Sequence, residues 1–164
     1  MRIRTFTRVS TGILIPLLVA CTVAPLQQDQ AVQLPAGDGL AAVTLDTLDP
    51  LDHVAIADAH GFTRLEIVSV PVGQHIYLFP VPVGEYCLTR FQFRQWTFTS
   101  KKGSEPTCFK VKAGALSYSG TLAPRVEGET IVNHQVQDPA GFRIMLQQQY
   151  PAVAREFPES ATAP

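Results

Sequence analysis

The sequence predicts an all-β domain: an antiparallel β-sandwich of seven or eight strands with a short C-terminal helix. Three observations predict it. Between residues 40 and 136, short apolar runs alternate with turn residues at intervals of about 8–12 residues. No helical apolar period interrupts them before residue 138. Apolar residues make up 46% of the chain and charged residues 16%, a composition that builds a core rather than a disordered coil.

The elements follow in order. Residues 40–48 form a first strand, closed by Asp49-Pro50. Residues 53–57 and 62–69 flank Asp58-Ala59-His60-Gly61, a hairpin turn in which Gly61 supplies the positive φ. Ile76, Tyr77, Leu78 and Phe79 stand in a row within 74–79, the pattern of a strand buried on both faces. Residues 85–99 are a long run of β-formers that breaks near Arg94-Gln95. Within it Arg90, Gln92 and Arg94 alternate with Phe91 and Phe93, giving one polar and one apolar face. Residues 107–111, 116–122 and 130–136 complete the strands. Val70-Pro71-Val72-Gly73 recurs as Val81-Pro82-Val83-Gly84; Pro in second and Gly in fourth place suit a type I turn. Two copies are two similar strand entries, since a repeat array needs three or more. Asp138-Pro139 is an N-cap followed by Pro at the first helical position. Phe142, Met145, Leu146 and Gln149 continue at helical spacing, and Tyr150-Pro151 stops them. Residues 152–157 add one turn, the sandwich and its helix span 40–157, and 158–164 read as a frayed tail.

The N-terminus is of another kind. Residues 1–20 carry Arg2, Arg4 and Arg8, no acidic residue, and an apolar stretch from Gly12 to Ala20. That stretch is shorter than the roughly 20 residues a membrane-spanning helix needs, and its flanks fit a cleaved secretion signal. Leu18-Val19-Ala20-Cys21 resembles the lipobox of bacterial lipoproteins. The resemblance implies a diacylglyceryl group on the Cys21 thiol and acylation of the new amino terminus. Each buried methylene then adds about 0.8 kcal/mol, and two or three chains anchor stably. In such lipoproteins Asp after the Cys favours the inner membrane. Thr22 at that place implies the outer membrane, with the domain facing the periplasm. Residues 21–39, with Pro25, Pro35 and four Gln, read as lipidated Cys plus flexible tether, spanning roughly 20–25 Å root-mean-square. Removing the signal leaves ten basic against 14 acidic residues, a formal charge of −4. Such a domain lacks the basic field of a nucleic-acid binder. Lys101-Lys102 reads as a solvated turn.

With Cys21 taken by lipid, Cys87 and Cys108 remain. They lie in adjacent expected strands of an exported protein, so a disulfide is expected between them. No C-x-x-C spacing suggests redox or metal chemistry.

Val83-Gly84-Glu85-Tyr86-Cys87-Leu88, the segment from Lys112 to Leu122, and Tyr150-Pro151 resemble small, mostly uncharacterised proteobacterial lipoproteins. Those carry a transthyretin-like or carboxypeptidase-regulatory-like sandwich. A Pro-x-Gly-x-Tyr turn (Pro82, Gly84, Tyr86) enters a core strand, and Ala113-Gly114, Tyr118, Gly120 and Leu122 fit a later strand. The resemblance spans about residues 70–152. It implies fold and location and no catalytic residues.

Chemistry-bearing constellations are sparse. Asp52, His53, Asp58 and His60 are close in sequence, but His53 and Asp58 stand about 16 Å apart along a strand. Asp58 and His60 alone make a weak metal site. No metal or small-molecule cofactor is expected. Tyr118-Ser119-Gly120 lacks the leading Gly of a nucleophile elbow; Ser117 and Ser119 read as strand residues. Glu127 and Glu129 sit by a Gly turn and read as solvated, and no Gly-rich phosphate cradle is present. Most of the aromatic residues must fill the core; Trp96, and with it Tyr118, are the candidates for a partner or glycan surface. The expectation is a non-catalytic envelope lipoprotein, held to the membrane through Cys21, with a protein-interaction or structural role toward another envelope protein. A glycan-binding module (peptidoglycan or lipopolysaccharide sugar) and a hydrolase with an unrecognised site are the alternatives.

Overall fold

The computed structural model describes residues 21–28, 30–94, 96–99, 107–127 and 130–158. The expected signal, Lys101-Lys102, Glu129 and most of the expected tail lie outside the described residues.

Ten strands and two helices follow one another along the chain: β1 (Cys21–Val23), β2 (Asp38–Thr47), β3 (Leu51–Asp58), β4 (Thr63–Val70), β5 (Gly73–Pro82), β6 (Gly84–Phe93), β7 (Trp96–Thr99), β8 (Cys108–Val111), β9 (Leu116–Glu127), β10 (Thr130–Val136), α1 (Pro139–Gln149) and α2 (Pro151–Glu156). One sheet has the order β1-β4-β3-β6-β7, with β8 also paired to β6; the other runs β10-β9-β2-β5. The sandwich is as expected in kind, and larger. The run 85–99 divides at Arg94-Gln95 into β6 and β7, and the segment before residue 40 adds β1. Most pairs are antiparallel, but β1 runs parallel to β4 and β2 parallel to β9.

β2 is the shared wall, with Gly39 through Leu45 and Thr47 all buried. Its alternate residues feed two cores, as the period of two requires. Ala41, Val43 and Leu45 meet Val54, Ile56, Leu65, Ile67, Phe79 and Phe91 between the sheets. Leu40 and Ala42 face the other way, with Ile76, Leu78, Leu116 and Tyr118, against Phe142, Leu146, Tyr150 and Val153 of the helical layer. The row Ile76–Phe79 is buried on both faces as its sequence predicts, except that Tyr77 is only partly covered. Asp138 caps α1 by accepting from the Gly141 N–H at 2.9 Å.

Residues 21–39 are not a free tether. β1 pairs with the edge strand β4, the Leu26 N–H donates to the Leu78 carbonyl of edge strand β5 at 2.7 Å, and Leu26, Val32 and Leu34 pack on the second core. The segment lines the 63–65 stretch of one sheet's edge and touches the other at Leu78, where unpaired backbone groups would otherwise invite a foreign strand. The polar composition hides four apolar side chains that have a surface to meet: these three and Val23, which packs on the first core.

β9 carries a bulge. Ala42 faces Tyr118 but Thr44 faces Thr121, so Ser119 and Gly120 oppose one residue of β2. Gly120 sits at φ +77°, where a Cβ is disfavoured, and a Cβ there would meet the Gln137 amide. The extra residue turns Thr121 to the same face as Tyr118, and their hydroxyls meet at 2.9 Å. Gly120→Ala is therefore expected to lower stability by about 1–3 kcal/mol, read as a shift of the urea midpoint with unchanged slope.

Tyr150 ties the helical layer down. Its hydroxyl donates to the carbonyls of Ile76 (3.2 Å) and Leu26 (3.4 Å). Burial pushes its pKa above the ordinary 10.0; burial, then the charge of Tyr150, does the same to Tyr77. The folded state prefers the neutral phenol, so this contribution is whole below pH 10 and lost as pH rises through the folded value. Tyr150→Phe is expected to cost about 1 kcal/mol at neutral pH and to flatten the alkaline loss of stability. Urea titrations at neutral pH and above pH 10 would check both.

Candidate functional site

The sandwich has two ends. One carries Cys21, Asp38 and the connections 58–63, 82–84 and 111–116; the other carries 47–51, 70–73 and the β6–β7 hairpin. Cys21 opens β1 directly opposite Thr63. It therefore stands at the rim of the first end, one residue from the Asp58–Phe62 turn. That turn is fixed by Asp58, whose Oδ1 accepts from the His60 and Phe62 N–H groups at 2.9 and 3.0 Å, and by Gly61 at φ +73°.

The expected bridge is present: Cys87 and Cys108 form a disulfide between β6 and β8. Tyr86 and Leu88 point into the core, so Cys87 points outward on the first sheet. β7 pairs with the 90–93 half of β6 and β8 with its 84–87 half. They are two pieces of one edge, and the disulfide holds the second piece in register. Replacing both cysteines with Ser should cost about 3 kcal/mol, the closure entropy of a loop spanning 21 residues. An equal midpoint shift on reducing the native protein would identify the bridge as the cause.

Trp96 and Tyr118, the two candidates for a binding surface, part company. Trp96 is 58% exposed at the second end. It faces the half-buried Phe93 across the hairpin, whose ring lies 5.1 Å under the Arg94 guanidinium. Leu48 and Val72 are exposed on neighbouring connections of the same end. There Arg125 binds the Asp46 carboxylate at 2.8 Å and its carbonyl at 2.7 Å. Tyr118 is 3% exposed and is no surface residue. Its ring stacks on Phe142 at 4.3 Å, because the helical layer covers the face of the second sheet from which it projects. That expectation is corrected.

The four residues 52, 53, 58 and 60 do not converge. Asp58 is spent on its turn. His53 instead meets Glu66 of β4, Nε2 to Oε2 at 3.7 Å, on the outer face of the first sheet. Arg90 lies on the next strand of that face, and His53 Nδ1 and Arg90 Nε make no hydrogen bond. The His53–Glu66 contact escaped the sequence reading. Counting back from the Gly61 turn puts Ala55 opposite Glu66, which makes His53 its diagonal neighbour. Ser117 Oγ accepts from the Lys112 N–H at 3.1 Å and Ser119 Oγ donates to the Gly120 carbonyl at 2.7 Å; both are buried. Among the described residues no group of three or more His, Cys, Asp or Glu is placed to hold a metal ion, and no helix is long and apolar enough to cross a membrane. No protein-family model, curated protein or solved structure matches the chain.

Proposed function

We propose that the protein is a bacterial envelope lipoprotein, anchored in the outer membrane by acyl chains on Cys21, whose non-catalytic sandwich presents a surface to another envelope protein. The carrying observation is Leu18-Val19-Ala20-Cys21 directly after a basic, then apolar, stretch. The disulfide agrees with an oxidising compartment. The surface offered to a partner is the Trp96 end, where Trp96, Leu48 and Val72 expose apolar area beside Arg94. Trp and Arg are the residues that most often dominate an interface.

Binding of an envelope glycan is the second reading, and the exposed Trp96 ring favours it, since a flat aromatic face can stack on a sugar.

Intact mass of the membrane-extracted protein tests the anchor. The expected chain starts at Cys21 with added acyl mass, and Cys21→Ser abolishes that mass and releases the protein from the membrane. An unacylated chain starting at Cys21 sinks the reading. In-cell crosslinking followed by mass spectrometry tests the surface. One dominant protein partner, lost in Trp96→Ala, is the expected result; retrieval of sugar-bearing fragments alone would favour the glycan reading.

A further inference from the structure

The anchor residue has no slack. Cys21 is the first residue of a strand paired to Thr63, Thr22 is paired to Arg64 and Val23 to Leu65. Leu26 is then tied to β5 through its backbone N–H. Acyl chains on Cys21 would leave the domain at its own rim, with no free chain between lipid and fold. What surrounds that rim suits a bilayer interface. Phe62, one residue before the partner of Cys21, is 56% exposed on a turn whose backbone Asp58 holds in place. Val83 is 53% exposed on the adjoining 82–84 connection. Arg64, Lys110 and Lys112 are exposed around them, with long stems that let a charged head stay in the headgroup layer.

We propose that this end of the sandwich rests directly on the lipid surface, with Phe62 and Val83 entering the interface beside the acylated Cys21. The inference rests on the lipoprotein reading above. Charge does not drive the contact: Arg64, Lys110 and Lys112 are balanced by Asp38, Asp58 and Glu85 on the same rim. Apolar burial next to the covalent lipid does, and it adds to the methylene burial of the acyl chains. The orientation follows from the strand directions. β6 runs from Gly84 at this rim to Phe93, which pairs with Trp96. Ten residues at about 3.3 Å each put Trp96 roughly 30 Å farther from the membrane.

Trp96 is the single tryptophan, so the native protein reports on the far end. Phe62→Trp in a Trp96→Phe background reports on the near end. Both proteins, lipidated in cells, are checked by intact mass and by co-sedimentation with phosphatidylcholine vesicles, then compared on vesicles with and without brominated acyl chains. Bromine quenches only a tryptophan that reaches the acyl region. The expected result is loss of most of the emission from the Phe62→Trp protein and unchanged emission from native Trp96. Acylated, co-sedimenting protein in which neither is quenched overturns the contact and leaves the anchor standing. Quenching of both overturns the orientation, because the domain would then lie on its side. Absence of acyl mass removes the anchor, and the inference with it.

Discussion

β2 has no solvent face, and the rest of the structure is arranged around that constraint. A strand buried on both sides needs an apolar layer on each. The first sheet supplies one through Val54, Ile56, Leu65 and Ile67. The other must come from outside the two sheets, and α1 and α2 supply it through Phe142, Leu146, Tyr150 and Val153. Two short helices do not cover the face alone. Leu26, Val32 and Leu34 of the N-terminal segment close what remains. The same demand that recruits the helices therefore draws in the chain between Cys21 and β2.

Three buried tyrosines, Tyr86, Tyr118 and Tyr150, act as fasteners of this arrangement. Tyr86 stacks on Phe109 and donates from its hydroxyl to the Pro82 carbonyl at 3.0 Å. It closes the Pro-x-Gly-x-Tyr turn onto the strand that the turn introduces. Tyr118 lies between sheet and helix and satisfies its hydroxyl on Thr121. Tyr150 satisfies its own on the carbonyls of Ile76 and Leu26. Each buries a large ring with its polar tip bonded, as a buried tyrosine must. Motifs of this kind describe how a sandwich is closed. They carry no information about what its ends bind.

That distinction separates what was legible in the sequence from what was not. Turns announce themselves locally: Gly61 after Asp58, the break at Arg94-Gln95 and the Asp138-Pro139 cap all lie where their residues predict. The disulfide was legible from the cysteine count and the expectation of export. Tyr118 misled because its exposure is decided by a helix 20 or more residues away and by a bulge that a strict alternation does not foresee. The docked N-terminal segment misled for a related reason. Val23, Leu26, Val32 and Leu34 have no regular period, since they meet two edges and a helical layer rather than one face. The His53–Glu66 contact required a register, and register is a property of the pair of strands rather than of either one.

Docking of the N-terminal segment also changes what kind of object the proposed anchor would hold. A tethered domain samples many heights and directions above a membrane, and its binding surface is diluted over that volume. With an acylated Cys21 inside β1, the Trp96 end would be held at one height, roughly the length of β6, and would face away from the lipid. Edge pairing of β1 with β4 would then do two things at once. It lines the 63–65 stretch of the β4 edge, and it would fix the direction in which Trp96, Leu48 and Val72 are offered. A partner anchored in the same membrane would have to reach that height. One held in the layer above it, such as a second envelope protein or a glycan network, would meet the exposed end directly. The geometry of the proposed anchor would thus restrict a partner more than the chemistry of the Trp96 surface would.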